Sequence, residues 1–316
     1  VRALRNLYLR KTTAAEIDEQ VRKVLKGLGN PRPPLRLSDV RELLKLDRQY
    51  YSKDADGILR ETISRLKVAG KQILRRPALL LEAIRKAELK ALYVPDRKII
   101  LIDQTEPEIK QRWNESHEVI HSLLEWHGPV MLGDDKLTLN LVCHDQIEAE
   151  ANYGAGRLLF LQGEFERVAR DSKCTLEEIR AIGGAFGNSI TSTLWRFVEL
   201  MLEPALGVVS QHPRYTDGKF DPNDPCRYFI RSSAFLGRFS NVDETAAFAL
   251  LRSKSNWRKY GPIADDEVVL RDDNGESHVF QLDAFHNHHE TLAVFVYKRA
   301  LSKKVAVAAG LEISAK

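Results

Sequence analysis

The stretch His117-Glu118-Val119-Ile120-His121 decides how the chain is read. On a helix, residues four apart share a face, with side chains roughly 5–6 Å apart. His117 and His121 so placed can take two adjacent corners of a tetrahedral zinc site. Glu118, beside the first imidazole, can hold a metal-bound water and take its proton. The same five letters also arise by chance on amphipathic helices, so the flanking residues must separate the two readings.

Those flanks predict a helix that faces a core. Thr105-Glu106-Pro107-Glu108 reads as a capping box with proline near the first turn, and Gly128-Pro129 reads as a stop after His127. Ile109, Trp113, Ile120 and Leu124 mark an apolar stripe on or beside the histidine face. Upstream, the β-prone runs at 91–94 and 98–102 flank Pro95-Asp96-Arg97, a hairpin signal. That hairpin reads equally as a strand to pair with an extended substrate or as a structural layer under the helix.

A zinc site needs a third ligand, and Asp145-Gln146-Ile147-Glu148-Ala149-Glu150-Ala151-Asn152 offers one. Glu148 and Asn152 share a helix face, so Glu148 can bind the metal while Asn152 hydrogen-bonds the outer nitrogen of a ligand histidine. Glu150 projects about 200° round the axis from Glu148, so the two compete, and Glu148 is favoured. The alternative makes Glu148 the partner of an Asp145 N-cap and Asn152 a solvated residue. Ala149, Ala151, Gly154, Ala155 and Gly156 are small, which suits a close helix approach or a helix break.

Taken in order, the hairpin, the HEVIH helix and the ExEAN helix running into Arg157-Leu158-Leu159-Phe160 resemble the ImmA/IrrE family of bacterial zinc metallopeptidases. The likeness spans about residues 90–200. It departs from the family's AAxLLMP ending at Leu161-Gln162, where the proline is replaced. The resemblance implies a zincin-like core with Zn2+ held by His117, His121 and Glu148, and Glu118 as general base. It further implies an endopeptidase that cuts a protein substrate, a helix-turn-helix transcriptional repressor, and so relieves repression of stress-response or mobile-element genes. The rival is a regulator that keeps the metal-binding fold but acts without catalysis, by binding a partner or DNA.

Composition is that of an ordinary globular chain of 316 residues. No apolar run approaches the roughly 18 residues of a membrane span, and no signal-peptide pattern opens the sequence. Cys143, Cys174 and Cys226 are odd in number and far apart, which predicts reduced thiols and a cytoplasmic location. Val1 points to a non-standard start or a truncated chain. Residues 1–100 carry 24 Lys and Arg against 12 Asp and Glu, so the rest of the chain is net acidic. The basic residues read as solvated helix faces or as a surface that steers an acidic partner.

The expected class is α+β: a zincin-like core, a helix-turn-helix-like unit and a C-terminal α+β domain. The boundaries expected are a helical extension at 1–30, the peptidase domain at 31–170, the helical unit at 171–205 and a regulatory or docking domain at 206–316. Helices are expected at 12–28, 38–46, 54–90, 175–187 and 190–202, with a short strand at 137–142. The helix at 190–202 offers only Arg196 as a cation, too little to anchor phosphates, so direct DNA binding is disfavoured. In the last domain, Asn274-Gly275 marks a hairpin. His286-Asn287-His288-His289-Glu290 does not make a regular metal site, because adjacent residues point apart.

Overall fold

The computed structural model describes residues 4–51, 91–94, 98–127, 141–218 and 220–301. The helix expected at 54–90, the Gly128-Pro129 stop and residues 137–140 lie outside them. The fold is mixed α+β, as expected, and divides into two compact units. One comprises Tyr8–Phe165 with Ala185–Ser189; the other comprises Val1–Leu7, Glu166–Gly184 and Ile190–Lys316.

In the first unit, α1 (Lys11–Gly27) buries Ile17, Val21, Val24 and Leu25, a spacing of three and four that lines one face. A short helix, α2 (Leu37–Leu44), follows and ends on Lys45 in the left-handed conformation. Strand β2 (Asp47–Tyr51) runs parallel to β4 (Ile99–Asp103), and β3 (Ala91–Val94) pairs antiparallel with β4, giving the order β2-β4-β3. The central strand buries Ile100, Leu101 and Ile102 in succession, so both of its faces are covered.

Helix α3 (Glu108–Leu123) carries the HEVIH string and passes into a 3-10 turn, Glu125–His127. The capping box does not form. Pro107 is the N-cap, and Thr105 spends both its amide and its hydroxyl on Asp103 Oδ1, closing a turn at the end of β4. Ile109 is exposed, so the buried stripe begins later than expected and rests on Val119, Ile120 and Leu124. Glu115, buried two residues before His117, receives Arg41 Nε at 2.6 Å and Arg48 Nη1 at 2.8 Å. That pair ties α3 to α2 and to β2.

Helix α4 (Leu141–Leu159) is continuous through both glycines. Leu141 and Val142 are helical, so the expected strand does not extend to them, and Asp145 lies inside the helix rather than at its cap. A methyl group on Gly154 would meet Ile120 Cγ2 at 2.7 Å, so glycine there lets α4 close on α3. At Gly156 the nearest atom is 4.0 Å away, on Trp113, so no such need exists. Tyr153 and Arg157 bond Asp18 and fasten α4 to α1. Beyond Leu159 the chain turns through two left-handed residues, Leu161 and Gln162, where the family pattern has proline.

The second unit is built on a sheet ordered β1-β6-β5-β9-β8-β7. Its strands are β1 (Leu4–Arg5), β5 (Ala205–Ser210), β6 (Cys226–Arg231), β7 (Gly261–Arg271), β8 (Ser277–His286) and β9 (Thr291–Ala300). All described pairings are antiparallel except β1 with β6. Helix α5 (Gly163–Asp171), which no sequence signal had marked, precedes α6 (Leu176–Phe186) and α7 (Ile190–Leu200). Two helices cross between β6 and β7: α8 (Ser233–Leu236) and α9 (Glu244–Lys254), each N-capped by a side chain, Ser232 and Asp243. Phe229, Phe235, Phe239, Phe280 and Phe295 fill the core on that side.

The expected helix-turn-helix layout is present as α6, a turn at Gly187 and α7. Its second helix packs against β5 and β6, burying Thr193, Leu194, Phe197 and Val198. Arg196 is 11% exposed and lies 3.4 Å from Glu199 and 3.6 Å from Glu166. Among the described residues, no helix is long and apolar enough to cross a membrane.

Candidate metal centre

Two helices of the first unit bring the predicted residues together. On α3, His117 and His121 stand one turn apart with their Nε2 atoms 3.1 Å from each other. From α4, Glu148 places Oε2 3.2 Å from His117 Nε2 and Oε1 3.7 Å from His121 Nε2. These three form one of two groups, among the described residues, whose ligand atoms converge within 4.8 Å. Three ligand atoms each about 2.1 Å from a tetrahedral centre stand about 3.4 Å apart, so edges of 3.1, 3.2 and 3.7 Å fit a zinc-sized ion.

Protonation points the same way. Asn152, four residues after Glu148, sets its Oδ1 3.1 Å from His117 Nδ1. The amide oxygen only accepts, so His117 carries a proton on Nδ1 and Nε2 is the nitrogen it turns inward, toward Glu148. Burial alone would lower the basicity of His117, but the bond to Glu148 and the charges of Glu118 and Glu148 outweigh it and leave its pKa raised. The negative potential is therefore concentrated where a cation would sit. Two imidazoles and a carboxylate, without thiolate, are a donor set that suits zinc.

Glu118 is buried beside this group, with Oε2 accepting the backbone N–H of Tyr93 on β3 at 2.6 Å. Burial lifts its carboxyl to about 7, against the opposing pull of His117 and the Tyr93 amide. A carboxyl that titrates near neutrality can both take and give a proton. The hairpin thus does more than underlie α3: a main-chain donor of its edge strand orients the Glu118 carboxyl.

Glu150 does not compete with Glu148. It is buried on another side of α4, where it accepts Trp126 Nε1 at 2.7 Å and Gln146 Nε2 at 2.8 Å, and lies 3.1 Å from His127 Nε2. His127, fully buried, in turn sets its Nδ1 2.9 Å from His121 Nδ1. Neither contact was legible, because His127 reaches back from the 3-10 turn that ends α3, and no residue spacing dictates such a return.

The second convergent group, Asp272, Glu276 and His278, is a different structure. Asp272 Oδ1 accepts the amides of Asn274 and Glu276, and its Oδ2 lies 3.0 Å from His278 Nε2 and 3.4 Å from Arg238 Nε. A guanidinium already supplies the cation there, and the set braces the β7–β8 turn. His286 bonds Thr291 Oγ1, and His288 stacks on Tyr260, so the histidines near residue 286 do not converge. The thiols of Cys174 and Cys226 are both pushed up to about 12 by burial, which makes them poor nucleophiles.

Residues 78–197 match the family model for peptidase M78, the IrrE N-terminal-like domain. The matched segment contains all five predicted site residues and agrees with the resemblance read from the motifs. No curated protein matches the chain. Among solved structures, a Mycobacterium tuberculosis transcriptional regulator is similar, at 13% identity and a TM-score of 0.50. The likeness covers 95% of this chain and 92% of that one, and it is a likeness of fold.

Proposed function

We propose that this chain is a zinc-dependent endopeptidase that hydrolyses a peptide bond in a protein substrate, with a helix-turn-helix transcriptional repressor as the substrate class. The observation that carries the reading is the convergence of His117 Nε2, His121 Nε2 and the Glu148 carboxylate beside a buried Glu118. His117, His121 and Glu148 hold the ion, and Asn152 fixes the tautomer of His117. A zinc ion held there supplies Lewis acidity, polarising a carbonyl and making water acidic enough to ionise near neutral pH. Glu118 accepts the proton from the attacking water and returns it to the leaving nitrogen. Its Oε2 stays anchored on the Tyr93 amide, so the carboxyl keeps one orientation through both transfers.

A purely structural metal site has no use for a buried carboxyl at Glu118, which supports the catalytic reading over the binding-only regulator. Burial of α7 against the sheet and the carboxylates around Arg196 weigh against reading DNA through that helix. The cytoplasm, where repressors act, is the compartment this reading requires. Glu118→Gln tests it: the variant keeps one zinc per chain by elemental analysis, still binds the substrate and no longer cuts it. The wild type should cleave a repressor encoded beside it at one or a few bonds. Rapid many-site digestion of unfolded casein with the repressor untouched would overturn the substrate class, and full activity in Glu118→Gln would overturn the mechanism.

A further inference from the structure

We propose that His127 and Glu150 are positioning residues that fix the proton of His121 on Nδ1 and so present its Nε2 as a bare ligand. The inference rests on reading His117, His121 and Glu148 as a metal centre, and it concerns residues outside that set.

Three buried side chains, Glu150, His127 and His121, fix one another's protons in turn. Glu150, as a carboxylate, only accepts. Trp126 Nε1 only donates, and it lies 2.7 Å from Glu150 Oε2, the oxygen that also faces His127 Nε2 at 3.1 Å. A contact between a carboxylate oxygen and an imidazole nitrogen at that distance needs a proton on the nitrogen, so His127 carries hydrogen on Nε2. Neutral His127 then has a lone pair on Nδ1, and that lone pair faces His121 Nδ1 at 2.9 Å. Two ring nitrogens so close need one proton between them, and only His121 can supply it. His121 is therefore an Nδ1–H imidazole whose Nε2 turns its lone pair toward His117 Nε2, 3.1 Å away, and Glu148 Oε1, 3.7 Å away.

The chain Glu150–His127–His121 thus does for one histidine what Asn152 does for the other. The two arrangements differ in kind. Asn152 is exposed, whereas His121, His127 and Glu150 are 4%, 0% and 2% exposed, so the chain of contacts is shielded from bulk water. Without His127, His121 is free to place its proton on Nε2, where it blocks a ligand position. The geometry therefore predicts a loss of metal affinity from residues that never touch the metal, commonly about 10–100-fold for such supports.

The first test needs no mutation. In the full-length apo protein, 15N chemical shifts from long-range proton–nitrogen correlation should show His121 protonated on Nδ1 and His127 on Nε2. Protonation of His121 on Nε2, which a doubly protonated His127 would impose, overturns the proposal. The second test measures zinc affinity by chelator competition, with melting temperature recorded beside it. His127→Phe fills the space without an acceptor and should lose about 10–100-fold in affinity. His127→Asn keeps an acceptor where Nδ1 was and should restore most of that loss, although it packs less well. Glu150→Gln, which presents an amide where His127 expects an acceptor, should fall between them. Affinity that follows melting temperature rather than the acceptor, or an unchanged affinity in His127→Phe, overturns the positioning role. His121→Ala separates the premises: it should abolish tight zinc binding, and its failure to do so would overturn the metal centre itself.

Discussion

Replacing Gly154 by alanine puts a methyl group where Ile120 already sits. The added Cβ would lie 2.7 Å from Ile120 Cγ2, 3.0 Å from Cγ1 and 3.1 Å from Cδ1, all on a fully buried side chain. Two effects oppose each other. Alanine gains about 1 kcal/mol over glycine inside a helix. Forcing a methyl into a packed core costs about 1–3 kcal/mol, because neighbours must leave their rotamers or the helices must part. The net expectation is a loss of about 0–2 kcal/mol, where an exposed helical glycine would show a gain. Parting α3 from α4 also moves Glu148 away from His117 and His121, so zinc affinity should fall with stability. Removing the obstacle isolates the cause: in an Ile120→Ala background, Gly154→Ala should stabilise by up to about 1 kcal/mol. Chemical denaturation of the four proteins gives the coupling energy, expected at about 1–3 kcal/mol. Additive effects, or a gain of a full kcal/mol from Gly154→Ala alone, would refute the close-approach argument.

Other consequences are open to measurement. Asn152→Ala should weaken zinc binding by about 10–100-fold with little change in melting temperature, since the residue is exposed; equal affinity in chelator competition would remove it from the site. Arg41→Ala combined with Arg48→Ala strands the buried Glu115 carboxylate and should cost about 3 kcal/mol or more. Glu115→Gln removes the buried carboxylate charge and keeps a side-chain oxygen that an arginine can still bond, so it should cost less, and urea denaturation giving the reverse order would contradict this. His286 is held down to about 4 by burial and by His212, His288 and His289. Between about pH 6.5 and 4 the unfolded chain takes up a proton that folded His286 refuses, so the sheet unit should lose stability as pH falls through that window. His286→Gln should flatten the dependence, and an unchanged pH profile would assign it to other groups.

What could be read from the residues followed their periodicity. His117, His121, Glu148 and Asn152 were recoverable because each pair is four apart on a single helix, and that spacing fixes a shared face wherever the helix lies. The β3–β4 hairpin and the Asn274-Gly275 turn were likewise written in local turn chemistry. The capping box failed for a local reason as well: Thr105 donates its amide and hydroxyl to Asp103 instead of accepting an amide of the helix. Long-range returns were not legible. His127 meets His121 through a 3-10 turn, Tyr93 meets Glu118 across 25 residues, and Arg41 and Arg48 meet Glu115 across about seventy. Nothing in the spacing of such residues records the meeting. Helices α5 and α9 were not anticipated, although the Asp243 cap of α9 is a local signal of its start.

Strand β1 is only two residues long, yet it completes the edge of a sheet whose other strands begin at Ala205. Asn6 extends it by acting as a mock peptide, its side-chain amide exchanging hydrogen bonds with both backbone groups of Arg231. Arg5 grips Glu244 through two bonds, across 239 positions of sequence. An unstructured loop of that length costs about 5 kcal/mol to close, plus a constant, so the contact becomes affordable once the intervening unit has folded and shortened the loop. On a ribosome, residues 4–6 emerge long before β6 exists and must wait for it. Until then the outer amides and carbonyls of β6 form an open edge, the part of a sheet most prone to pair with a stranger. The order of assembly therefore inverts the order of synthesis: the strand that seals the sheet is made long before the strand it seals.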